Sequence, residues 1–419
     1  MSNRSHTYQK LIPSSELEVG MFVSKLDCPW EQTPFIFQGF LISNKDEIYQ
    51  LQEHCQEVYV DIKQTLLTQK ESLKEKVKKT EQKKKPNKPR YTDLVTFEKE
   101  LSFAYDTYLF MNNRYKELLI EASSGKGLNS GDLFDLIRKC VKSLLRNTGA
   151  LTWLTQIRNK DAYHFEHAIR VAITAIAFGK ELELPVRDLE ILGICGLLHD
   201  IGKATIPVDI VNKEGRLNAE EFKRMRTHPE EGKRLLEMLN VPIQEAIDVA
   251  YSHHERIDGK GYPLGITGEK IPYFAKIIAI TDSFDAITSH RNYRKGISSP
   301  EALSVIYDER GLHYDRELAE RFVKFIGIYP LGHIAELNTG HLAIILSNTQ
   351  QNKLKPKLLL ITSPNKEPIP ERIINLSKTD TLKNGIQLRI KDIHNDGAFG
   401  IKLQFYLEKA LALWSSPPI

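Results

Sequence analysis

The chain has 419 residues, more than a single hydrophobic core usually supports, so we expect about two or three domains. Its hydrophobic fraction of 41% is ample for a packed core, and its charged fraction of 27% is ordinary. A formal charge of +4 gives no reason to invoke a nucleic acid or an anionic membrane as a partner.

The N-terminal residues and the cysteines indicate the cellular compartment in which the protein is expected. The first residues contain no apolar segment of signal-peptide length, and no uncharged apolar run approaches the roughly 20 residues that span a bilayer. The four cysteines form no CxxC pair, which is typical of isolated, reduced thiols: Cys28, Cys55, Cys140 and Cys195. The sequence therefore predicts a cytoplasmic protein without a membrane span.

The first part of the chain contains short apolar runs separated by turns. MFVSKLD, FIFQGFLI and EVYVDI alternate as strands do, so residues 1–66 are predicted to form a small regulatory α/β module. Residues 67–91 include KEKVKKTEQKKKPNKPR and have almost no apolar content, which indicates a basic linker or a solvated helix. A nucleic-acid patch is the alternative, but the run lacks interleaved aromatic residues.

From residue 92 to about residue 325 the apolar spacing is helical. One helix face is indicated by apolar residues at spacings of three and four: Leu94, Phe97, Leu101, Tyr105 and Tyr108. Asn218-Ala-Glu-Glu221 has the form of a capping box, and Ser299-Pro300 is typical of a second helix start. We predict connecting helices over residues 92–145 and an all-α domain over residues 146–328, with seven or more helices in the region.

The C-terminal segment changes character again. HLAIILSN, KLLLITS, GIQLRIKDI and FGIKLQFYL are apolar or alternating runs bounded by turn-forming residues. Residues 329–419 are therefore predicted to form a small β-rich extension with a final helix.

Six of the thirteen histidines lie between His164 and His254. His199 and Asp200 end the apolar helix ILGICGLLHD, and Gly202 is a natural helix terminator. An imidazole nitrogen and a carboxylate would face the same space there, and the carboxylate can bridge two cations. A buried structural pair is the alternative.

Further histidines and a carboxylate stand in separate helical segments. The side chains of His253 and His254 diverge by about 100 degrees on a helix, so they would serve different ions of a dinuclear site. Two exposed polar residues at a helix end are the alternative. His167 and Asp282 lie in other apolar helices, and His228 is predicted to open the second turn of MRTHPEEGKRLL. Five imidazoles and two carboxylates suit iron, manganese or zinc, and the absence of thiolates disfavours a structural zinc site.

These motifs occur in an order that strongly resembles the HD-GYP family. The resemblance covers about residues 145–330 and rests on His167, HDIGK at 199–203, His228, HHERIDGKGYP at 253–263 and TDSFDAITSHRNYR at 281–294. This family is a branch of the HD phosphohydrolases that degrades the bacterial second messenger cyclic di-GMP. The first 65 residues resemble a small domain often fused to such proteins. The implied fold is a mainly α, multi-helix HD-type metal-dependent phosphohydrolase bundle, with a small N-terminal α/β module and a small β-rich C-terminal extension.

The resemblance also implies a ligand set and a reaction. It assigns two divalent ions, iron or manganese, to His167, His199, Asp200, His228, His253, His254 and Asp282. Asp200 would bridge the ions, and Lys203 would contact the substrate phosphate, so these two are the predicted catalytic residues. The residues matching positions that line the nucleotide pocket are Tyr262, Asp285, Arg291 and Arg294. Two such cations would lower the pKa of a shared water, which attacks the phosphodiester and opens the ring.

The GYP loop has its own predicted roles. Gly259 and Gly261 permit backbone conformations barred to other residues, Pro263 stiffens the loop exit, and Tyr262 offers a ring for stacking on a guanine. A mere tight turn is the alternative.

One departure from the family pattern affects the expected product. Some members carry a glutamate one helical turn before the first histidine, which adds a third metal. Tyr163 stands there in this chain, and Glu166 is expected to face elsewhere. The resemblance therefore implies a two-metal site and linear pGpG as the main product, with further hydrolysis to GMP left open.

Three other functions remain open. The first is a phosphodiesterase for cyclic GMP-AMP or another cyclic dinucleotide. The second is a receptor that binds cyclic di-GMP without turnover. The third is a scaffold that recruits a diguanylate cyclase through Gly261-Tyr262, and a homodimer is a further partner that the resemblance allows.

Overall fold

The computed structural model describes residues 9–28, 39–42, 45–62, 65, 91–123, 127–156, 163–213, 215–289, 296–327, 329–349, 352–378 and 388–414. These residues fall into two compact units, one within residues 1–88 and the other within residues 89–419. Within the described ranges, no helix combines the length and the apolar character needed to cross a bilayer. The domain boundaries expected after residues 66, 91, 145 and 328 stay predictions, and the linker over 67–91 lies almost entirely outside the described residues.

The described residues of the first unit contain an antiparallel sheet and a helix that packs with it. Its elements are β1 (Gln9–Pro13), β2 (Phe22–Leu26), β3 (Phe40–Leu41), α1 (Lys45–His54) and β4 (Glu57–Asp61). The strand order is β1-β4-β2-β3. Val58 and Val60 alternate toward the core, where they pack with Val23 and Leu51. The predicted strands are confirmed for β2 and β4, and residues 35–38 of FIFQGFLI lie outside the described residues.

The second unit begins with a helical bundle. Its helices are α2 (Phe97–Ser123), α3 (Ser130–Arg146), α4 (Thr148–Leu154), α5 (Tyr163–Glu181), α6 (Val186–Leu198), α7 (Val208–Val211), α8 (Ala219–Met225), α9 (His228–Met238), α10 (Gln244–Ser252), α11 (Tyr273–Thr288), α12 (Ser299–Asp308) and α13 (Arg316–Ile326). The mainly α architecture expected from the apolar spacing is confirmed.

Helix starts follow their local chemistry. The capping box predicted at α8 is confirmed: Glu221 donates its backbone N–H to Asn218, and Asn218 donates its own to the Glu221 carboxylate. In α12 the capping residue is Ser298 rather than Ser299. Leu94 does not belong to the predicted apolar stripe, because α2 begins only at Phe97 and the Leu94 side chain is 72% exposed.

Helices α5 and α6 approach each other unusually closely. A Cβ on Gly196 would lie only 2.6 Å from the Cα of Ala172. Further along α5, the ring of Phe178 meets the ring of Phe322 in α13 edge to face at 5.1 Å, and both are fully buried. The close approach brings the helix that carries His167 against the helix that ends at His199.

Gly202 has a different role from the predicted one. Helix α6 already ends at Leu198, and Gly202 lies in a 3₁₀ turn, Ile201–Thr205. A Cβ there would lie 2.0 Å from the His228 carbonyl oxygen and 2.4 Å from the Gly232 nitrogen. The residue must therefore lack a side chain so that α9 can pack beside the HD motif.

Substitution of Gly202 by alanine should lower the free energy of unfolding by about 3 kcal/mol, because the added methyl group forces the backbone of α9 away. Gly232→Ala is the matched control on the other side of this contact, since its Cβ would meet no atom closer than 3.4 Å. That variant should be neutral, or more stable by up to about 1 kcal/mol. Equal thermal unfolding midpoints for the two variants would contradict this interpretation.

The second unit ends in a five-stranded antiparallel sheet and a helix. These elements are β5 (Ile334–Leu337), β6 (Leu342–Thr349), β7 (Asn352–Thr362), β8 (Pro368–Asn375), β9 (Ile390–His394) and α14 (Leu403–Trp414). The strand order is β8-β7-β6-β5-β9. The predicted strands in HLAIILSN and KLLLITS are confirmed, whereas the second half of FGIKLQFYL begins α14 instead. Strand β8 escaped prediction because its prolines are tolerated only at an edge position.

Candidate metal centre

The bundle brings the seven predicted ligands together from separate segments. They are His167 in α5, His199 and Asp200 directly after α6, His228 at the start of α9, His253 and His254 directly after α10, and Asp282 in α11. His228 opens the first turn of its helix rather than the second, because α8 ends at Met225 and a new helix begins.

The first group of ligands consists of Asp200, His228, His253 and His254. One ligand atom from each lies within 4.8 Å of the others. The Nε2 atom of His228 is 3.3 Å from Asp200 Oδ1 and 3.3 Å from His253 Nε2. His253 Nε2 lies 3.7 Å from the same carboxylate oxygen. Four donor atoms therefore surround one small space.

The second group consists of His167, His199 and Asp282, whose ligand atoms also lie within 4.8 Å of one another. His167 Nε2 is 3.1 Å from Asp282 Oδ1, and His199 Nε2 is 3.8 Å from the same oxygen. The other oxygen of Asp200, Oδ2, lies 3.4 Å from His199 Nε2 and 3.8 Å from His167 Nε2. Asp200 thus directs one oxygen to each group, which is the geometry of a bridging carboxylate.

Backbone carbonyl groups determine the tautomers of the histidines. His199 Nδ1 is 2.8 Å from the Gly196 carbonyl oxygen, and His228 Nδ1 is 2.7 Å from that of Met225. His253 Nδ1 likewise faces carbonyl oxygens of its own helix. A carbonyl oxygen only accepts, so each Nδ1 must donate a proton, and each Nε2 directs a lone pair toward the carboxylates.

This arrangement fits cations. His199 Nε2 and Asp200 Oδ1 are buried and have no hydrogen-bond partner among the described residues. Lone pairs buried against lone pairs are costly unless a cation or proton lies between them. Imidazole and carboxylate donors suit iron, manganese or zinc. The two ligand groups therefore fit a pair of divalent ions.

The local charge favours positive ions as well. Burial lowers the pKa of His167, but hydrogen bonds to Asp282 and Asp285 outweigh it and raise that pKa to about 9. Burial opposes the ionisation of Asp200, yet Lys203 and His199 hold its pKa well below the usual range. Burial, followed by repulsion from His253, lowers the pKa of His254 well below its usual value. His254 therefore stays neutral and able to act as a ligand.

Asp285 lies behind the ligands rather than in the substrate pocket. Its Oδ2 atom is 2.7 Å from His167 Nδ1, and Arg170 donates to both carboxylate oxygens, over 2.7 and 2.9 Å. Ser289 donates a further hydrogen bond to Oδ2. The substrate contact predicted for Asp285 does not fit this position, because both oxygens are engaged and the residue is only 8% exposed. Arg170, which the motif comparison missed, orients Asp285.

Lys203 lies at the edge of the centre. Its ammonium group donates to Asp200 Oδ2, and its side chain is 29% exposed. The side chain also lines the cavity that opens beside the ligands. Lys203 is therefore placed between the bridging carboxylate and the space where a substrate would lie.

A buried glutamate organises the GYP loop. Glu255 is 2% exposed and accepts hydrogen bonds from the backbone N–H groups of Leu264, Gly265 and Ile266. The loop folds back so tightly that a Cβ on Gly261 would lie 2.4 Å from the Arg256 nitrogen. In the sequence, Glu255 directly follows His253 and His254. That position is the signal by which the residue could have been identified.

The two glycines of this loop serve different purposes. Gly259 has a φ of +75°, which is the left-handed conformation predicted for it. Gly261 has no positive φ, and its requirement for glycine comes from the close approach to the backbone at Glu255 and Arg256.

Tyr262 contacts a ligand and a cation. Its ring stacks on the His254 imidazole at 4.7 Å with an angle of 24°, and the Arg226 guanidinium lies over the ring at 4.5 Å. Both groups lie close to the ring centre and occupy space that a stacked guanine would need. Tyr262 is therefore placed to hold His254 rather than to stack on a base.

A cavity of about 480 Å³ adjoins both ligand groups. Its polar wall includes Lys203, Tyr262 and Ser283, and its apolar wall includes Ile210 and Met225. This volume lies within the range typical of small-molecule sites. His313, which belongs to none of the motifs, also lines the cavity and stacks on Tyr314. Arg291 and Arg294, predicted to bind the nucleotide, lie outside the described residues.

Comparison with known proteins agrees with this site. The HD domain family matches residues 154–318, and a domain of unknown function (DUF3391) matches residues 9–132. A cyclic di-GMP phosphodiesterase of Pseudomonas aeruginosa is 33% identical over 378 residues, which are 88% of this chain and 89% of that protein.

Two other relatives match over less than half of their length. The cyclic di-GMP phosphodiesterase response regulator of Xanthomonas campestris is 36% identical over 37% of this chain and 41% of that protein. The 3'3'-cGAMP-specific phosphodiesterase 1 of Vibrio cholerae is 37% identical over 36% of this chain and 35% of that protein. The chain belongs to the HD-GYP family of HD-domain phosphohydrolases.

Proposed function

We propose that this chain hydrolyses cyclic di-GMP to linear pGpG in bacterial second-messenger signalling. The observation that carries the proposal is the bridging position of Asp200, with one oxygen toward each ligand group and a cavity alongside. The similarity to the P. aeruginosa enzyme along most of both chains supports the choice of substrate.

The seven ligands would hold two divalent ions, for which iron or manganese is proposed. When bound, such a pair supplies a strong nucleophile at neutral pH and stabilises charge on phosphoryl oxygens. His167, His199 and Asp282 would hold one ion, and the group around His228 would hold the other, with Asp200 shared. The tautomers set by Gly196 and Met225 keep the donor atoms directed inward.

The remaining residues would bind and orient the substrate. Lys203 lies where its ammonium group can neutralise a phosphoryl oxygen, and Arg291 and Arg294 are proposed as further phosphate contacts. The apolar wall around Ile210 and Met225 would pack against a base and exclude water from the reacting phosphate. The absence of a glutamate at position 163 supports pGpG as the main product.

A second substrate is favoured by a specific observation, since a 3'3'-cGAMP phosphodiesterase of V. cholerae is among the relatives. The test is anaerobic purification, metal analysis, and chromatography of products from cyclic di-GMP and cyclic GMP-AMP. We expect two metal ions per chain and conversion of cyclic di-GMP to pGpG at the higher kcat/KM. Preferred cleavage of cyclic GMP-AMP would overturn the substrate assignment, and binding without turnover by the fully metallated protein would indicate a receptor.

Lys203→Met should reduce kcat by about 10²- to 10³-fold, because a cation aimed at the developing phosphoryl charge is removed. Lys213→Met is the matched control: Lys213 lines the same cavity, but its ammonium group is paired with Glu221 at 2.6 and 2.7 Å. Both variants should retain their metal. Similar kcat values for the two variants would rule out a specific role for Lys203.

The proposal also gives a role to each of the other parts of the chain. We assign residues 1–66 to a regulatory module, residues 67–91 to a linker, and residues 329–419 to an extension of the catalytic domain at 146–328. A diguanylate cyclase bound at Gly261-Tyr262, a homodimer and a cytoplasmic location belong to the same proposal. A pull-down that compares the intact protein with the Tyr262→Ala variant tests the cyclase contact. We expect the intact protein to capture the diguanylate cyclase and the variant to lose this capture.

A further inference from the structure

The first unit holds a cluster of metal-ligating side chains that the metal centre does not use. Asp27, Cys28 and Cys55 each have a ligand atom within 4.8 Å of the others. The two sulfur atoms are 3.5 Å apart, although the residues are 27 positions apart in sequence. Both thiols are free, as predicted, but they are not isolated from each other, because the end of β2 lies against the junction of α1 and β4.

Backbone hydrogen bonds hold the Asp27–Cys28–Cys55 cluster in place. Asp27 Oδ2 accepts from the N–H groups of Gln56, at 2.8 Å, and Glu57, at 2.9 Å. These bonds join the residue before Cys28 to the residues after Cys55. The cluster is thus preformed, and a ligand would meet little cost for ordering it.

Burial gives the two thiols different access. Cys55 is 4% exposed and belongs to the core of the first unit, whereas Cys28 is half-buried and packs against that core. An ion can therefore enter from the Cys28 side and be held against the core by Cys55. Cys140 and Cys195 are fully buried in the helical unit and belong to no such cluster among the described residues.

The sulfur separation suits a tetrahedral cation better than a disulfide. Two thiolates bound to Zn²⁺ at about 2.3 Å are about 3.8 Å apart at a tetrahedral angle. A disulfide would require the sulfur atoms to close to about 2.05 Å. The observed 3.5 Å is much nearer to the first value.

The electrostatics also disfavour spontaneous thiol chemistry. Burial, followed by the neighbouring Cys28 thiol, raises the pKa of Cys55. A thiol that stays protonated is a poor nucleophile and is oxidised slowly. A thiophilic cation would displace its proton and leave a ligand set of two thiolates and one carboxylate.

We propose that Asp27, Cys28 and Cys55 form a second cation site, specific for a thiophilic divalent ion such as Zn²⁺ and separate from the metal centre. The bound ion would link the end of β2 to the start of β4 and stabilise the first unit. Solvent on the Cys28 side would complete its coordination.

Cobalt(II) is the probe that distinguishes the two sites, because only a sulfur ligand gives a thiolate-to-cobalt charge-transfer band. The intact chain, with its metal centre already filled with Mn²⁺ and its thiols kept reduced with a phosphine, should develop this band with one equivalent of cobalt per chain, and Zn²⁺ should remove it. Cys28→Ser should abolish the band without affecting hydrolysis of cyclic di-GMP, and Asp27→Ala should weaken cobalt binding about 10-fold.

Two controls keep the test decisive. Cys140→Ala should leave the band unchanged, and Asp200→Ala should keep the band while losing activity. Cys28 is half-buried, so Cys28→Ser avoids the core disruption that a change at Cys55 risks. Absence of the band in the reduced protein would overturn the proposal, as would its persistence in Cys28→Ser. Formation of a Cys28–Cys55 disulfide without cation uptake would show a redox pair instead.

Discussion

Replacement of Asp200 by alanine should reduce the hydrolysis of cyclic di-GMP by at least about 10³-fold, equivalent to about 4 kcal/mol of transition-state stabilisation. Each oxygen of this carboxylate faces one ligand group, at 3.3 Å from His228 Nε2 and 3.4 Å from His199 Nε2. Both ions would lose a ligand at once. The metal content measured after anaerobic purification should fall below two ions per chain in parallel with the activity.

Asp188→Ala is the matched control for this variant. Asp188 stands in the first turn of α6, at the opposite end of that helix from His199, and its side chain is half-buried. Its loss should change activity by less than about 2-fold, because the side chain lies at the end of α6 that is distant from His199 and Asp200. If Asp200→Ala hydrolysed cyclic di-GMP at the parental rate, the ligand assignment would have to be abandoned.

Asp285→Asn should weaken metal binding by about 10- to 100-fold, because a neutral amide orients His167 less firmly than a carboxylate. The same change leaves the guanidinium of Arg170, which is only 3% exposed, without its main counter-ion. Breaking a buried ion pair in this way costs about 3–5 kcal/mol. Thermal unfolding and metal titration by calorimetry measure the two effects separately.

Ser289→Ala provides the comparison for Asp285→Asn. The Ser289 hydroxyl makes two long hydrogen bonds of 3.3 Å, one that it donates to the same carboxylate and one that it accepts from Arg170. Its removal should weaken metal binding by less than about 3-fold, since the contacts from His167 and Arg170 remain. A large loss of substrate affinity in Asp285→Asn, with unchanged metal affinity, would restore the pocket role that the motif comparison implied.

The clustering of the seven proposed ligands could be predicted from sequence because the motifs that carry them are long and ordered. HDIGK and HHERIDGKGYP contain four of the seven side chains, and the other three, His167, His228 and Asp282, follow from their order along the chain relative to these motifs. The distances between them required the fold, since His167 and Asp282 approach within 3.1 Å across more than one hundred residues of chain.

Contacts distant in sequence account for most of what sequence analysis missed. Gly202 has the local appearance of a helix terminator, yet its need for glycine comes from α9, which begins at His228. Tyr262 resembles a base-stacking residue until the structure places His254 and Arg226 over its ring. Arg170 carries no motif of its own, and only its position against Asp285 reveals its role.

Sequence patterns predicted the structure correctly where the interacting residues lie within a few positions of each other. The capping box at Asn218 and the left-handed Gly259 depend on neighbours a few residues away, and both occur as predicted. Leu94 shows the limit of periodicity, because the helical spacing of apolar residues extends to a position that precedes the first residue of α2, Phe97.

Electron paramagnetic resonance of the manganese-loaded protein tests the central claim most directly. If Asp200 joins two ions in adjacent ligand groups, the apoprotein reconstituted with Mn²⁺ should show the spectrum of an exchange-coupled pair, with two ions per chain. Asp200→Ala should remove the coupling. A spectrum of isolated, uncoupled Mn²⁺ ions in the fully loaded parental protein would contradict the bridged centre and the mechanism that depends on it.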